Sequence, residues 1–157
     1  VWIDTKTLAI GEGYRSNNHG IKQLKAILGD LVEEIITVPL PHWNGKNDCL
    51  HLMSNLSPID HDLFLIYPRL LPVSFIQFLL DRKIELIEVP DSEYNSMGCN
   101  VLAVGHKKII MVDGNPITRS LLEKKNMDVF TYNGSEVSLK GSGGPTCLTR
   151  PFLRDSL

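Results

Sequence analysis

The sequence lacks several features that mark common classes of binding protein. Its formal net charge is −2, so it has no basic excess to attract nucleic acid or an anionic membrane. No apolar run approaches the roughly 18 residues that a membrane span needs, and no stretch has the pattern of a signal peptide. Its three cysteines, an odd number, do not suggest a disulfide framework. We therefore expect a cytoplasmic protein that binds neither nucleic acid nor membrane.

What the sequence does contain is typical of one globular domain. It has 157 residues, of which 43% are hydrophobic and 22% charged, and this is enough for a real core. The chain begins with Val1 rather than methionine and enters a strand-like pattern at once. We interpret it as a piece of a longer polypeptide.

Strand and helix patterns recur three times along the chain. Each pass reads strand, strand, helix, strand, and helices begin near residues 18, 72 and 116. The predicted strands are 1–3, 7–10, 34–38, 49–53, 63–67, 84–89, 100–104, 108–112 and 129–132. A period of roughly 50 residues indicates a repeat architecture. We expect an α/β fold of three modules, approximately 1–47, 48–95 and 96–157, with the apolar positions of the three helices packed in the core.

Residues 140–151 present a single cysteine, Cys147, between glycines and prolines. This composition predicts a rigid loop. A thiol held in such a loop is a candidate nucleophile if a base lies nearby, and a structural cysteine is the alternative. The Gly141–Gly144 run is not a phosphate loop, because it lacks the Gly-Lys-Ser/Thr ending.

A histidine and an arginine complete the candidate site. The loops that enter successive modules contain His51, Asn100 and Cys147. In a closed ring of modules these equivalent loops converge, so His51 can meet Cys147 and act as its acid or base. Arg15 follows a Gly-x-Gly-Tyr turn, where it either clamps a substrate carboxylate or is a surface arginine before a helix.

Zinc binding is the competing use of these side chains. Its candidate ligands are Cys49, His51, Cys99 and Cys147. No C-x₂-C pair exists among them, and the apolar surroundings of Cys49 favour a buried side chain. We expect no metal site and no cofactor.

Three segments resemble motifs of the guanidine-modifying enzymes, the penteins. They are Leu8–Asn17, similar to that superfamily's Arg-Thr-Asn turn; Asp48–Ser54 followed by Asp62–Pro68, similar to its His-Leu motif; and Gly143–Pro151, similar to its nucleophile motif. The superfamily includes arginine deiminases, dimethylarginine dimethylaminohydrolases and amidinotransferases. The resemblance extends over the whole chain in the right order.

The resemblance implies a fold and a reaction. The fold is an α/β-propeller of five ββαβ modules, of which this chain has about three. Cys147 would attack a guanidino carbon to form an S-alkylthiouronium intermediate, His51 would protonate the leaving amine and then activate water, and Arg15 would anchor the substrate carboxylate. The product would be a urea such as citrulline, and no metal or organic cofactor would be needed.

Two departures from the superfamily pattern qualify this implication. In relatives, the carboxylate that binds the guanidinium directly precedes the segment equivalent to residues 1–3. We therefore expect a C-terminal fragment with little activity alone, whose open edge associates with another copy or with a missing N-terminal half. Met53 stands where arginine deiminases have aspartate, which favours the dimethylarginine hydrolase branch. Amidino transfer and a non-catalytic interaction domain on the same propeller fold are the alternatives.

Overall fold

The computed structural model describes residues 1–48 and 50–150, which form three small sheets with helices between their strands. The strands are β1 (Thr7–Glu12), β2 (Glu34–Pro39), β3 (Leu56–Pro58), β4 (Leu63–Ile66), β5 (Glu85–Glu88), β6 (Leu102–Gly105), β7 (Lys108–Val112) and β8 (Asp128–Tyr132). The helices are α1 (Asn18–Leu28), α2 (Leu52–Asn55), α3 (Val73–Asp81), α4 (Asp91–Tyr94), α5 (Pro116–Glu123) and α6 (Pro145–Leu148). None of the helices within these described ranges is long and apolar enough to cross a membrane.

One connection recurs in all three sheets. Two parallel strands are joined through a helix, as β1–α1–β2, β4–α3–β5 and β7–α5–β8. In the second and third sheets a short antiparallel strand, β3 or β6, precedes this unit. The mixed α/β fold is confirmed, and the predicted order of strand, strand, helix and strand is present in the second and third sheets. The module boundaries and the arrangement of the sheets as blades of a propeller stay predictions.

The first sheet differs because its leading strand does not form. In place of a strand over residues 1–3, one antiparallel bridge joins Trp2 to Leu8. The Asp4 carboxylate accepts hydrogen bonds from the backbone N–H groups of Lys6 and Thr7, and this turn ends the extended segment after three residues.

The segment that leads into the second sheet also departs from the prediction of a strand at 49–53. Leu52–Asn55 is the one-turn helix α2, and the strand begins at Leu56. The Ser54 amide donates to the His51 carbonyl at 2.8 Å, so alternating apolar residues close into a turn instead of extending. Cys49 lies outside the described residues.

Strand β4 joins two hydrophobic clusters. Leu63 and Leu65 belong to a cluster shared with the third sheet, and Phe64 and Ile66 belong to one shared with the first. Successive side chains of a strand point to opposite faces, so β4 is buried on both sides, as its continuous apolar sequence predicts.

The helices are less buried than predicted. In α3 only Phe75 and Leu79, one helical turn apart, are buried, whereas Val73 is 83% exposed. In α1, Ile21 is buried but Ile27 is 77% exposed. Helix α3 thus buries one i, i+4 stripe against its sheet, whereas α1 buries a single residue. The expectation that all the apolar helix positions pack in the core is therefore wrong.

Candidate functional site

Cys147 lies in the first turn of a one-turn helix, not in a loop. Helix α6 begins at Pro145, and the Cys147 amide donates to the Gly144 carbonyl at 3.0 Å. A proline is tolerated at the first helical position because no N–H is needed there. The prediction of a loop over 140–151 is thus wrong for 145–148, and residues from 151 onward lie outside the described part. The Cys147 side chain is exposed to solvent.

His51 faces this thiol from the start of α2. Its Nε2 lies 3.9 Å from Cys147 Sγ, although 96 residues separate the two in sequence. The distance is long for a hydrogen bond, but sulfur is large, and catalytic contacts are often long before substrate binds. The structure therefore brings together the two residues that the repeat pattern placed on equivalent loops.

The imidazole is held toward its neutral form. Burial lowers the pKa of His51 below its ordinary value of 6.5, and the positive charges of Arg15 and the Val1 amino group act in the same direction. A neutral imidazole can accept a proton from water or a thiol.

Asn100 is the nearest polar neighbour of the Cys147 sulfur, and its sequence context predicted no role for it. Its Nδ2 donates to Cys147 Sγ at 3.1 Å. Its Oδ1 accepts from the Thr146 backbone N–H at 3.0 Å and from the Thr146 hydroxyl at 2.8 Å. The one sequence signal for it was its place on the loop equivalent to those of His51 and Cys147.

The turn before Cys147 requires glycine because Asn100 packs directly against it. A Cβ on Gly144 would lie 2.5 Å from Asn100 Cγ, closer than atoms in van der Waals contact. Gly144 thus allows the Asn100 amide to approach the backbone that carries the cysteine.

Arg15 and His51 line the same cleft. Its volume is about 280 Å³, and Met53, Gly13 and Leu50 also contribute to its walls. The Arg15 side chain is exposed and its positive charge reaches His51. The cleft can therefore accept an anionic group at Arg15 and a reacting group near His51.

A tyrosine–histidine contact holds the Arg15 turn. The Tyr14 hydroxyl lies 2.5 Å from His42 Nδ1, and the two rings meet edge to face. The contact links the segment that carries Arg15 to the segment that leads to His51.

The zinc alternative finds no support in the part of the chain that the structure describes. No group of three or more His, Cys, Asp or Glu side chains there is placed to hold a metal ion. Cys99 is 1% exposed and lies in the hydrophobic core. Cys49 lies outside the described residues.

The arrangement matches a known family. The arginine deiminase family model matches residues 1–83 and 71–154. This chain belongs to the arginine deiminase family. The uncharacterized protein YkgA of Bacillus subtilis is 30% identical over 154 residues, which cover 98% of this chain and 51% of YkgA. The arginine deiminase of Mycoplasma capricolum is 28% identical over 188 residues, which cover 99% of this chain and 46% of that enzyme.

A solved structure of a DDAH is also similar to this chain. The DDAH of Pseudomonas aeruginosa, in a cysteine-to-serine mutant complexed with citrulline, matches with a TM-score of 0.70 and 27% identity over 90% of this chain and 49% of that one. The resemblance to the pentein superfamily is therefore confirmed. The chain spans about half the length of each of these three relatives.

Proposed function

We propose that this chain supplies the nucleophile and the acid–base group of a hydrolase that acts on a guanidino carbon. The observation that carries the proposal is the 3.9 Å approach of Cys147 Sγ to His51 Nε2. Cysteine nucleophiles are activated by an adjacent imidazole, and here the imidazole of the pair, His51, lines the cleft that Arg15 also lines.

The first half of the reaction forms a bond to sulfur. Neutral His51 first takes the proton of the Cys147 thiol, and the resulting thiolate attacks the carbon of the guanidinium and gives a tetrahedral adduct. The carbon–nitrogen bond then breaks, and the amine or ammonia leaves with a proton from the His51 imidazolium. A cationic S-alkylthiouronium remains on Cys147, and His51 is neutral.

The second half consumes water. Neutral His51 takes a proton from a water molecule, whose oxygen attacks the thiouronium carbon. The carbon–sulfur bond breaks, Cys147 leaves as thiolate, the hydroxyl proton of the adduct passes to solvent, and the product is a neutral urea. The lowered pKa of His51 favours the neutral imidazole that this step requires.

We assign the substrate to the arginine or dimethylarginine class. Arg15 would bind the α-carboxylate in a bidentate ion pair while the guanidino end reaches Cys147. The citrulline in the P. aeruginosa DDAH structure is a product of this chemical type. Met53 lies in the wall of the cleft at the position that supports the dimethylarginine branch, whose substrate carries a larger, more apolar guanidino group.

We further propose that full activity requires a second segment. A guanidinium needs an anionic partner, and within the described residues the side chains that line the cleft include no aspartate or glutamate. A missing N-terminal half would supply that carboxylate and the two further modules of a five-module propeller, and without it the open edge would associate with another copy of this chain. This chain alone would turn over little substrate. A catalytic thiolate needs a reducing environment, so we place the protein in the cytoplasm.

The test is a product assay on the chain with and without an added N-terminal half. Arginine and dimethylarginine are each supplied, and ureido product, ammonia and dimethylamine are measured, with Cys147→Ser as the control. We expect ureido product only from the completed protein with Cys147 intact. Formation of a new guanidine on an added amine, without urea, would assign amidino transfer instead. A completed, folded protein that processes neither substrate would overturn the proposal.

A further inference from the structure

We propose that Asn100 is a positioning residue that holds the Cys147 sulfur and stabilises negative charge on it. This inference rests on the proposed role of Cys147 as the nucleophile. It adds a third side chain to the pair that the sequence predicted, and its effect on the thiol can be measured without any substrate.

The orientation of the Asn100 amide follows from its partners. The Thr146 backbone N–H can only donate a hydrogen bond, so the atom that faces it at 3.0 Å must be the amide oxygen. The Thr146 hydroxyl donates to the same oxygen at 2.8 Å. The NH₂ group is therefore left to face Cys147 Sγ, 3.1 Å away.

The environment makes this donor rigid. Asn100 is only 5% exposed, and its backbone N–H is bound to the Met97 carbonyl at 3.0 Å. Gly144 packs against its side chain so closely that a Cβ there would overlap the amide. A buried donor with fixed orientation loses little entropy when it binds an anion.

The donor acts most strongly when the sulfur is anionic, because hydrogen bonds to charged groups are stronger than those to neutral ones. Sulfur is anionic before it attacks and again when it leaves the thiouronium carbon. Asn100 therefore stabilises the thiolate both before it attacks and after it leaves the thiouronium carbon. His51 moves protons, whereas Asn100 moves none and fixes where the sulfur lies.

The experiment measures the alkylation of Cys147 by iodoacetamide, a neutral reagent, through site-resolved peptide mass spectrometry. The proteins compared are the unmodified chain, Asn100→Ala and Asn100→Asp. We expect the rate constant at neutral pH to fall about tenfold in Asn100→Ala, and further in Asn100→Asp, whose carboxylate repels the thiolate. The deficit should shrink at high pH, where the thiol of each variant is ionised.

Asn115→Ala is the matched control. Asn115 is also a buried asparagine, but its Nδ2 donates to the Ser96 and Val112 carbonyls. It should lose stability in thermal unfolding yet keep the Cys147 rate within about twofold. If Asn100→Ala loses stability but alkylates at the original rate, Asn100 is only a packing residue and the inference fails.

A second measurement needs no change at residue 100. The side-chain NH₂ resonances of Asn100 are followed by NMR before and after Cys147 is alkylated. We expect them to shift more than those of Asn115, and an unmoved Asn100 signal would contradict the contact. A chain that shows these effects but processes no guanidine would retain the Asn100 inference and lose the proposed function.

Discussion

Cys99 and Cys147 lie in opposite environments, since Cys99 is buried in the hydrophobic core and Cys147 is exposed to solvent. Cys99 lies in the hydrophobic cluster between the second and third sheets, with the Leu65 carbonyl at 4.0 Å from its sulfur. Burial raises its pKa far above the ordinary value. Cys147 is exposed and has Asn100 and His51 beside it.

The two environments are almost adjacent, because Asn100 directly follows Cys99 in the chain. One residue points a small apolar group into the core, and the next directs an amide to the other cysteine. The two thiols therefore differ in their access to solvent and in the polarity of their neighbours, which are the properties that control thiol reactivity.

The largest expected effect separates the two cysteines. Cys147→Ser should lower turnover by the completed protein at least about 10³-fold, because serine is a far weaker nucleophile at neutral pH. Cys99→Ala should retain turnover and lower the free energy of unfolding by about 1 kcal/mol through lost packing. Product assays and urea denaturation measure the two effects. Equal losses of activity in both variants would end the distinction.

The next effect concerns the base. His51→Gln keeps a polar group at the start of α2 but cannot transfer protons. We expect turnover to fall about 10²- to 10⁴-fold, as measured by single-turnover kinetics. His106→Gln is the control, since that histidine is exposed and faces Asp60 at 3.6 Å. Unchanged turnover in His51→Gln would assign the proton transfers to another group.

Arg15 should have a smaller effect that appears in substrate binding. Arg15→Ala removes the proposed carboxylate partner, so KM for arginine-type substrates should rise about tenfold or more. A guanidine without a carboxylate should be processed unchanged. Arg119→Ala is the matched control, because Arg119 is partly exposed and pairs with Glu123 within α5. A lower kcat with unchanged KM in Arg15→Ala would contradict the anchoring role.

The smallest effect is on the titration of His51. Since the positive charge of Arg15 contributes to the lowered pKa of His51, Arg15→Ala should move the NMR titration midpoint of His51 upward toward 6.5. The folded state holds this proton less tightly than the unfolded chain. His51 therefore costs no stability above pH 6.5 and lowers stability as pH falls below it. An unchanged midpoint would show that the charge of Arg15 does not act on His51.

The sequence predicted best those elements whose burial or ends depend on residues within the element itself. The apolar run at 63–67 could be predicted as a buried strand because both faces of β4 contact hydrophobic neighbours. Helix starts were also predictable. Asn17 caps α1 by accepting from the Gly20 amide at 2.9 Å, and Pro116 opens α5. Capping groups and prolines act within one turn of their own position.

The one-turn helices α2 and α6 could not be predicted, because four residues carry too little periodicity to separate a turn from a strand or loop. They matter because they present His51 and Cys147.

The repeat pattern predicted that His51 and Cys147 lie close together. It placed Asn100 on the third equivalent loop but did not predict its hydrogen bond to the Cys147 sulfur. This hydrogen bond depends on how closely Gly144 approaches the amide and on the two Thr146 donors, and these distances have no sequence signature. The Tyr14–His42 contact likewise joins two turns whose relative placement comes only from folding.

The most direct test of a guanidine site at Cys147 and His51 is the labelling of the completed protein by a haloacetamidine, with the neutral haloacetamide as the comparison. The amidine mimics a guanidinium, so a site built for guanidines should be labelled faster by the amidine. We expect a single adduct on Cys147, formed preferentially with the amidine and lost in His51→Ala. A folded protein whose Cys147 reacts no faster than a model thiol, and equally with both reagents, would contradict this expectation.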